Sequence, residues 1–354
     1  MVSALAGCRT ARPEPDEPSS PVSSQPSATA PAAPVIAQTN PAPEVPASPQ
    51  EELNKLMEAD DTAQAEVDGW ILENREFAAR GAAIPNDELN RRIIERFLPV
   101  RQGYEDFIKR YPTNAEVRLA YASLLHDFGE EDLEVELLEK ARELDPTIPA
   151  VWNQLANYYG HRGPVTNAFR YYEKAIELEP TEPVYYQNFA TTVYLFRKDA
   201  REYYSITEPQ VFDKALELYT QALKLDPTNY PLATDLAISY YAIKPLRTND
   251  ALQSWTNALA IAHDDIEREG VYIHLARIKL NVGWLEEARA HLDAVKHEMY
   301  NELKKRLVRN LNEKEAEARD PNSATNTGAR WIGLIPGETN APPAEDAGTN
   351  APQR

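Results

Sequence analysis

The sequence predicts an all-α fold, a linear array of helix pairs flanked by Pro-rich and polar ends. Three observations predict it. Pro112, Pro146 and Pro180 recur at a constant interval of about 34 residues, the length of one small helical unit. Glu143-Leu144-Asp145-Pro146 returns almost unchanged as Glu177-Leu178-Glu179-Pro180, and Lys224-Leu225-Asp226-Pro227 repeats it after one further period and an insertion. Between about 51 and 317, apolar residues recur at spacings of three and four, without period-two alternation. A fixed period of this length marks a chain built from one repeated unit. Such an array has no single enclosed core and offers a long surface to a partner.

Residues 1–8 end in Leu5-Ala6-Gly7-Cys8, and residues 9–50 are dominated by Pro, Ala and Ser. A stretch this poor in large apolar residues cannot bury enough surface to offset its ordering entropy, so it is expected to be a disordered tether. Residues 51–317 carry the helices. Residues 318–354 return to Asn, Thr, Ala, Pro and Gly and are expected to be a disordered tail. Trp331 to Pro336 is an apolar patch within it, read either as a chance cluster folded back on the array or as a docking motif.

Within the array, the unit from Ala150 to Pro180 has the clearest pattern. Trp152, Leu155, Ala156 and Tyr159 form one stripe of a first helix. Gly160 to Pro164 breaks that helix, and Ala168, Tyr172 and Ala175 form the stripe of a second. The small residues Ala156 and Ala168 mark the closest approach of the two helices. The preceding unit, Arg118 to Pro146, is weaker, with Arg118 at the tryptophan position and Glu134 at the second-helix alanine position. Tyr186, Phe189, Ala190 and Val193 begin the next unit, and Ala215, Tyr219 and Ala222 finish it. The insertion between them holds Arg197, Lys198, Arg201, Tyr203 and Tyr204 and is read either as extending the two helices or as a functional segment on the binding side. Thr207 and Gln210 have the spacing of a helix cap. Leu236, Ala237 and Tyr240 pair with Ala251, Trp255 and Ala258, and Tyr272, Leu275 and Ala276 pair with Ala288, Leu292 and Val295. Asp87 to Tyr111 is read as a degenerate first pair, and Tyr300 to Glu317 as a polar terminal cap.

The pattern resembles the tetratricopeptide repeat, W-x2-L-G-x2-Y, then A-x3-F, then P, with Ala156 in place of the glycine and Tyr172 in place of the phenylalanine. The resemblance implies a right-handed α-α solenoid of about five pairs, whose first helices line a concave face. Carried over to this sequence, that face holds Asn153, Gln154, Asn157, Gln187, Asn188, Thr191, Asp235, His274 and Arg277. Amides offer both donor and acceptor, which suits the backbone of an extended peptide. The alternative is a merely solvated face. The ring of Lys and Arg with which some members grip a terminal carboxylate is not present at these positions.

With 37 Lys and Arg against 56 Asp and Glu, a net charge of -19 disfavours nucleic acid as a partner. No H-E-x-x-H, P-loop, G-x-S-x-G or dinucleotide fingerprint occurs among the six scattered histidines and the glycines. The sequence therefore predicts no catalytic residues, no cofactor and no metal site. Expected instead is a protein-interaction scaffold with a protein or peptide partner. A soluble cytoplasmic adaptor, or a non-catalytic subunit of an enzyme complex, is the alternative. Leu5-Ala6-Gly7-Cys8 resembles the bacterial lipobox, which implies lipidation of Cys8. The membrane is then reached only through that lipid, at the periplasmic side of an outer membrane, since Arg9 follows the cysteine. The segment before Cys8 is short and holds no Lys or Arg, so either the true start lies upstream or the match is accidental.

Overall fold

A computed structural model describes residues 48–319, and these residues form fourteen α-helices and no strand. The all-α array of helix pairs expected from the period is what the chain builds. The two ends, including Cys8 and the Trp331 to Pro336 patch, lie outside the described residues. The chain divides into two compact units between Ile261 and Ala262.

The first unit holds five pairs. Helix α1 (Pro49–Ala79) starts at a capping box, in which Ser48 Oγ accepts the Glu51 N–H and the Glu51 carboxylate accepts the Ser48 N–H. It packs on α2 (Asn86–Arg110). The segment read as a degenerate pair is thus a single helix, and its partner is the longer helix before it. Pro99 sits inside α2 and removes a backbone bond. Phe97 on one side of it, and Val100, Tyr104 and Phe107 on the other, are all buried. That continuous apolar stripe outweighs the lost bond and keeps the helix whole.

Next come α3 (Ala115–Phe128) with α4 (Glu131–Leu144), and α5 (Pro149–Arg162) with α6 (Val165–Leu178), all of 14 residues. Asn114 caps α3 by accepting the Val117 N–H at 2.8 Å, and Gly129, at φ 69°, supplies the left-handed residue that ends it. Ala156 and Ala168 are fully buried where α5 and α6 pack together. Trp152 is only half-buried. Its ring meets Tyr171 edge-on at 5.3 Å, and its indole N–H donates to the Pro146 carbonyl at 2.8 Å.

The fourth pair is α7 (Pro183–Leu195) with α9 (Glu208–Leu225). The insertion does not lengthen either helix. It forms a separate helix, α8 (Arg197–Tyr204), that packs against α6 and α9. Tyr203 and Tyr204 lie 5.5 and 5.8 Å from the Phe169 ring, Lys214 Nζ stands 4.2 Å over Tyr204, and Ala200 is fully buried. Ring contacts of both tyrosines with Phe169, with burial of Ala200, explain why the segment folds back. Thr207 caps α9 as its spacing predicts, both its N–H and its hydroxyl donating to Gln210 Oε1. The fifth pair is α10 (Tyr230–Ser239) with α11 (Thr248–Ala260), whose Trp255 is fully enclosed. The core is a chain of overlapping clusters: Leu137 of α4 packs against both the cluster of α1 to α4 and the one that runs from α3 to α9. This is the nearest-neighbour packing of a repeat array.

The second unit holds α12 (Asp265–Asn281), α13 (Leu285–Ala294) and α14 (Asn301–Arg319). Gly283, at φ 82°, turns the chain between the first two. Ala288, Leu292, Leu307 and Leu311 pack on Ile273, Ala276 and Leu280 of α12. No described helix is long and apolar enough to cross a membrane.

Candidate functional site

The first helices of neighbouring repeats in the first unit, α3, α5, α7 and α10, carry the polar side chains that the repeat register selects. Asn153, Gln154 and Asn157 come from α5, Gln187, Asn188 and Thr191 from α7, and Asp235 from α10. Asn153 is buried and the others are half-buried. They are not independent of one another. Gln154 Nε2 donates to Ser123 Oγ of α3 at 2.6 Å. Asn188 Nδ2 donates to Asn153 Oδ1 at 3.3 Å, and Gln187 Nε2 to Asp235 Oδ2 at 3.0 Å. Each bond joins the first helix of one repeat to that of another, so the amides make a ladder across four helices.

A second set of bonds ties the ladder to the helices behind it. The Tyr172 hydroxyl donates to Asn157 Oδ1 at 2.6 Å, and Tyr219 OH lies 2.9 Å from Thr191 Oγ1. Asn157 and Thr191 are one period apart, and Tyr172 and Tyr219 are one period plus the insertion apart. The two contacts are the same contact in successive repeats. Thr192 Oγ1 adds a donation to the Tyr172 hydroxyl at 3.3 Å. Burial pushes the Tyr219 hydroxyl well above its ordinary value, so it remains a protonated hydrogen-bonding group at neutral pH. Burial also raises the Asp235 carboxyl, against the opposing donation from Gln187.

The ladder leaves capacity unused. Among the described residues, Asn157 Nδ2, Gln187 Oε1 and Asn188 Oδ1 have no partner, and Gln154 Oε1 is buried with none. The face can therefore still offer both donors and acceptors, from side chains already held in place.

His274 and Arg277 belong to α12 of the second unit, and both are buried. Burial, with the neighbouring Arg277 charge adding to it, pushes the His274 imidazole down to about 3, so it is neutral at pH 7. The structure brings together the seven predicted residues of the first unit; His274 and Arg277 belong to the second. Ser123, Tyr172 and Tyr219 were missed as members of the site. The signal for the two tyrosines was in the sequence: each follows a polar first-helix position at the same offset, once the insertion is discounted in the second case.

Residues 149–182, which are α5, α6 and the turn beyond, match the family model of the tetratricopeptide repeat. This segment is a tetratricopeptide repeat. Repeats of this kind build extended surfaces that bind other proteins. No curated protein matches the chain. Among solved structures, it is similar to PilW, a widely conserved type IV pilus biogenesis factor, with 15% identity, 60% of this chain and 91% of that one covered, and a TM-score of 0.47. It is similar to PilF of Pseudomonas aeruginosa with 16% identity, 72% and 99% covered, and a TM-score of 0.45. It is similar to YrrB, a tetratricopeptide protein with an unusual peptide-binding site, with 15% identity, 60% and 97% covered, and a TM-score of 0.45.

Proposed function

We propose that the protein is an interaction scaffold, which holds an extended peptide or a partner helix across the first helices of the first unit. The observation that carries this reading is the amide ladder with its unused donors and acceptors at repeat-equivalent positions. Side chains already fixed by one hydrogen bond lose little freedom on making a second, so they bind at low entropic cost. Panning the full chain against a displayed random-peptide library supplies ligands. The double change Asn157→Ala, Asn188→Ala is expected to weaken a selected peptide by roughly 0.5–1.5 kcal/mol per lost hydrogen bond. Unchanged affinity in a variant with an unchanged helical spectrum removes the ladder from binding.

The scaffold is, in this proposal, held to a bacterial envelope by lipid on Cys8. The support is the tetrapeptide Leu5-Ala6-Gly7-Cys8 and the Pro-, Ala- and Ser-rich stretch behind it. Stable anchoring takes more than one acyl chain, each buried methylene contributing about 0.8 kcal/mol. Fractionation with mass spectrometry of the mature N-terminus tests it. A soluble protein with an unmodified Met1 or Val2 rejects the anchor and favours a cytoplasmic adaptor.

A further inference from the structure

On an acidic chain, cations are expected to be paired, and in the first unit many are: Arg96 with Glu66, Arg142 with Glu139 and Arg247 with Asp213 are examples. The start of α8 departs from this. A cavity of about 330 Å³ lies there, lined in part by Arg197, Lys198 and Arg201. Lys198 and Arg201 are exposed and, among the described residues, form no ion pair. Arg92, Arg118, Arg170 and Lys214 also form no ion pair among the described residues, each engaging a ring or a hydrogen bond instead. Of the remainder, Lys224 is on α9, and Lys55 and Arg75 stand at distant points of α1. Arg197 is held in place, donating to the Tyr194 carbonyl at 2.6 Å with its guanidinium over the Tyr194 and Phe212 rings. The volume falls at the small end of the range for ligand pockets, roughly 300–1,000 Å³.

The cavity lies at the C-terminal end of α7, the helix that carries Gln187, Asn188 and Thr191. Leu195, which also lines it, follows Gln187 and Thr191 at intervals of four, so the three share one stripe of α7. Leu195 is 47% exposed. A chain lying over the amides of α7 would reach this cavity next.

We propose that the cavity receives an acidic side chain of the peptide bound on that face, with Lys198 and Arg201 pairing to its carboxylate. This rests on the scaffold reading and gives it a partner class, a peptide carrying Asp or Glu. Asp199 and Glu208 also line the cavity and form no ion pair among the described residues. They set the charge the site accepts. Two carboxylates lining the same cavity oppose a doubly charged phosphate more than a singly charged carboxylate.

The test uses the full chain and two fluorescein-labelled, C-terminally amidated peptides, one alternating Glu with Ala and one alternating Gln with Ala, read by anisotropy at low salt. The change Lys198→Ala, Arg201→Ala is expected to weaken the Glu peptide about tenfold and leave the Gln peptide unaffected. The control Lys55→Ala, Arg75→Ala removes the same charge elsewhere and should leave both unaffected. Glu208→Gln should tighten the Glu peptide. Equal binding of the Glu peptide to the wild type and the Lys198, Arg201 variant overturns the proposal. So does its displacement by inorganic phosphate but not by acetate at equal ionic strength, which would make the cavity a phosphate site. If the Gln peptide binds, and loses affinity in the Asn157, Asn188 variant while the cavity variant changes nothing, only the acidic-peptide inference falls. If neither peptide binds, the acidic-peptide inference falls, while the scaffold reading is decided by the library-selected peptide and the Asn157, Asn188 variant.

Discussion

The pairs α3/α4 and α5/α6 have the same period and the same helix lengths, yet they close their interfaces with different chemistry. In α5/α6, Ala168 is fully buried, and Gly160, near the end of the first helix, is buried with it. One period earlier these positions hold Glu134 and His126. Glu134 is 2% exposed, and its carboxylate lies 3.1 Å from His126 Nδ1. Trp152 is matched by Arg118, which is buried and donates to the Asn114 carbonyl at 2.6 Å. The backbone period thus does not require the apolar signature. It requires that each position be filled and each polar group answered, and a carboxylate with an imidazole can stand where two small residues stand.

The comparison breaks most visibly if the two solutions can be exchanged one residue at a time. Ala168→Glu places a carboxylate in a buried site facing no imidazole, and is expected to cost about 3–5 kcal/mol. Glu134→Ala removes a buried carboxylate and leaves an exposed histidine, so its cost should stay below about 1.5 kcal/mol. Urea unfolding of both variants measures the two, and equal costs would show that the pairs are interchangeable after all. Trp152→Ala comes next. Full enclosure of a tryptophan implies a loss of about 3–5 kcal/mol, but Trp152 is half-buried, so about 2 kcal/mol is expected, and Trp255→Ala should cost the full amount.

These positions also show what could be read in advance. The signature residues Ala156, Ala168, Tyr172 and Ala175 are buried as their spacing demands, because a helical period and a small residue at a close approach are local facts. Two departures were not local. The α2 helix runs through Pro99 because burial on both sides of it outweighs a lost hydrogen bond. The insertion forms its own helix because Tyr203 and Tyr204 find Phe169, a ring on α6, from which the whole of α7 separates them in sequence. In the candidate site, register alone placed the seven polar residues of the first unit. It could not show that they bond to one another, since that depends on the distance between helices of different repeats.

Smaller effects sharpen the comparison. Tyr172→Phe keeps the ring, which stacks on Phe189 at 5.4 Å, and removes the hydroxyl that reaches Asn157 and Thr192. A loss of about 0.5–1.5 kcal/mol is expected in thermal or chemical unfolding, and Leu138, its equivalent in α4, has no such bond to lose. The smallest effect is pH dependence in α3/α4. The hydrogen bond to Glu134 raises the His126 imidazole above its ordinary value. Its stabilising charge is fully present below the unfolded value of about 6.5 and is lost as pH rises through the raised folded value. His126 is 58% exposed, so solvent screens the pair. The stability gap between wild type and His126→Gln should therefore narrow by less than about 1 kcal/mol as pH rises past the folded value. A gap that widens would reverse the assignment.

For a bound strand, the proposed ladder would also act as a ruler. Because its rungs recur with the repeat, a strand laid across it could slip by one repeat and find nearly the same partners, and a uniform ladder would bind in several frames at once. This one is not uniform. Asn157 gives way to Thr191 at the next equivalent position, and Gln187 faces a carboxylate in Asp235 where Asn153, one period earlier, faces an amide in Asn188. A partner that slides by one step exchanges an amide for a hydroxyl and meets a negative charge it did not meet before. The irregularities among the repeats are what would give a bound chain a single frame.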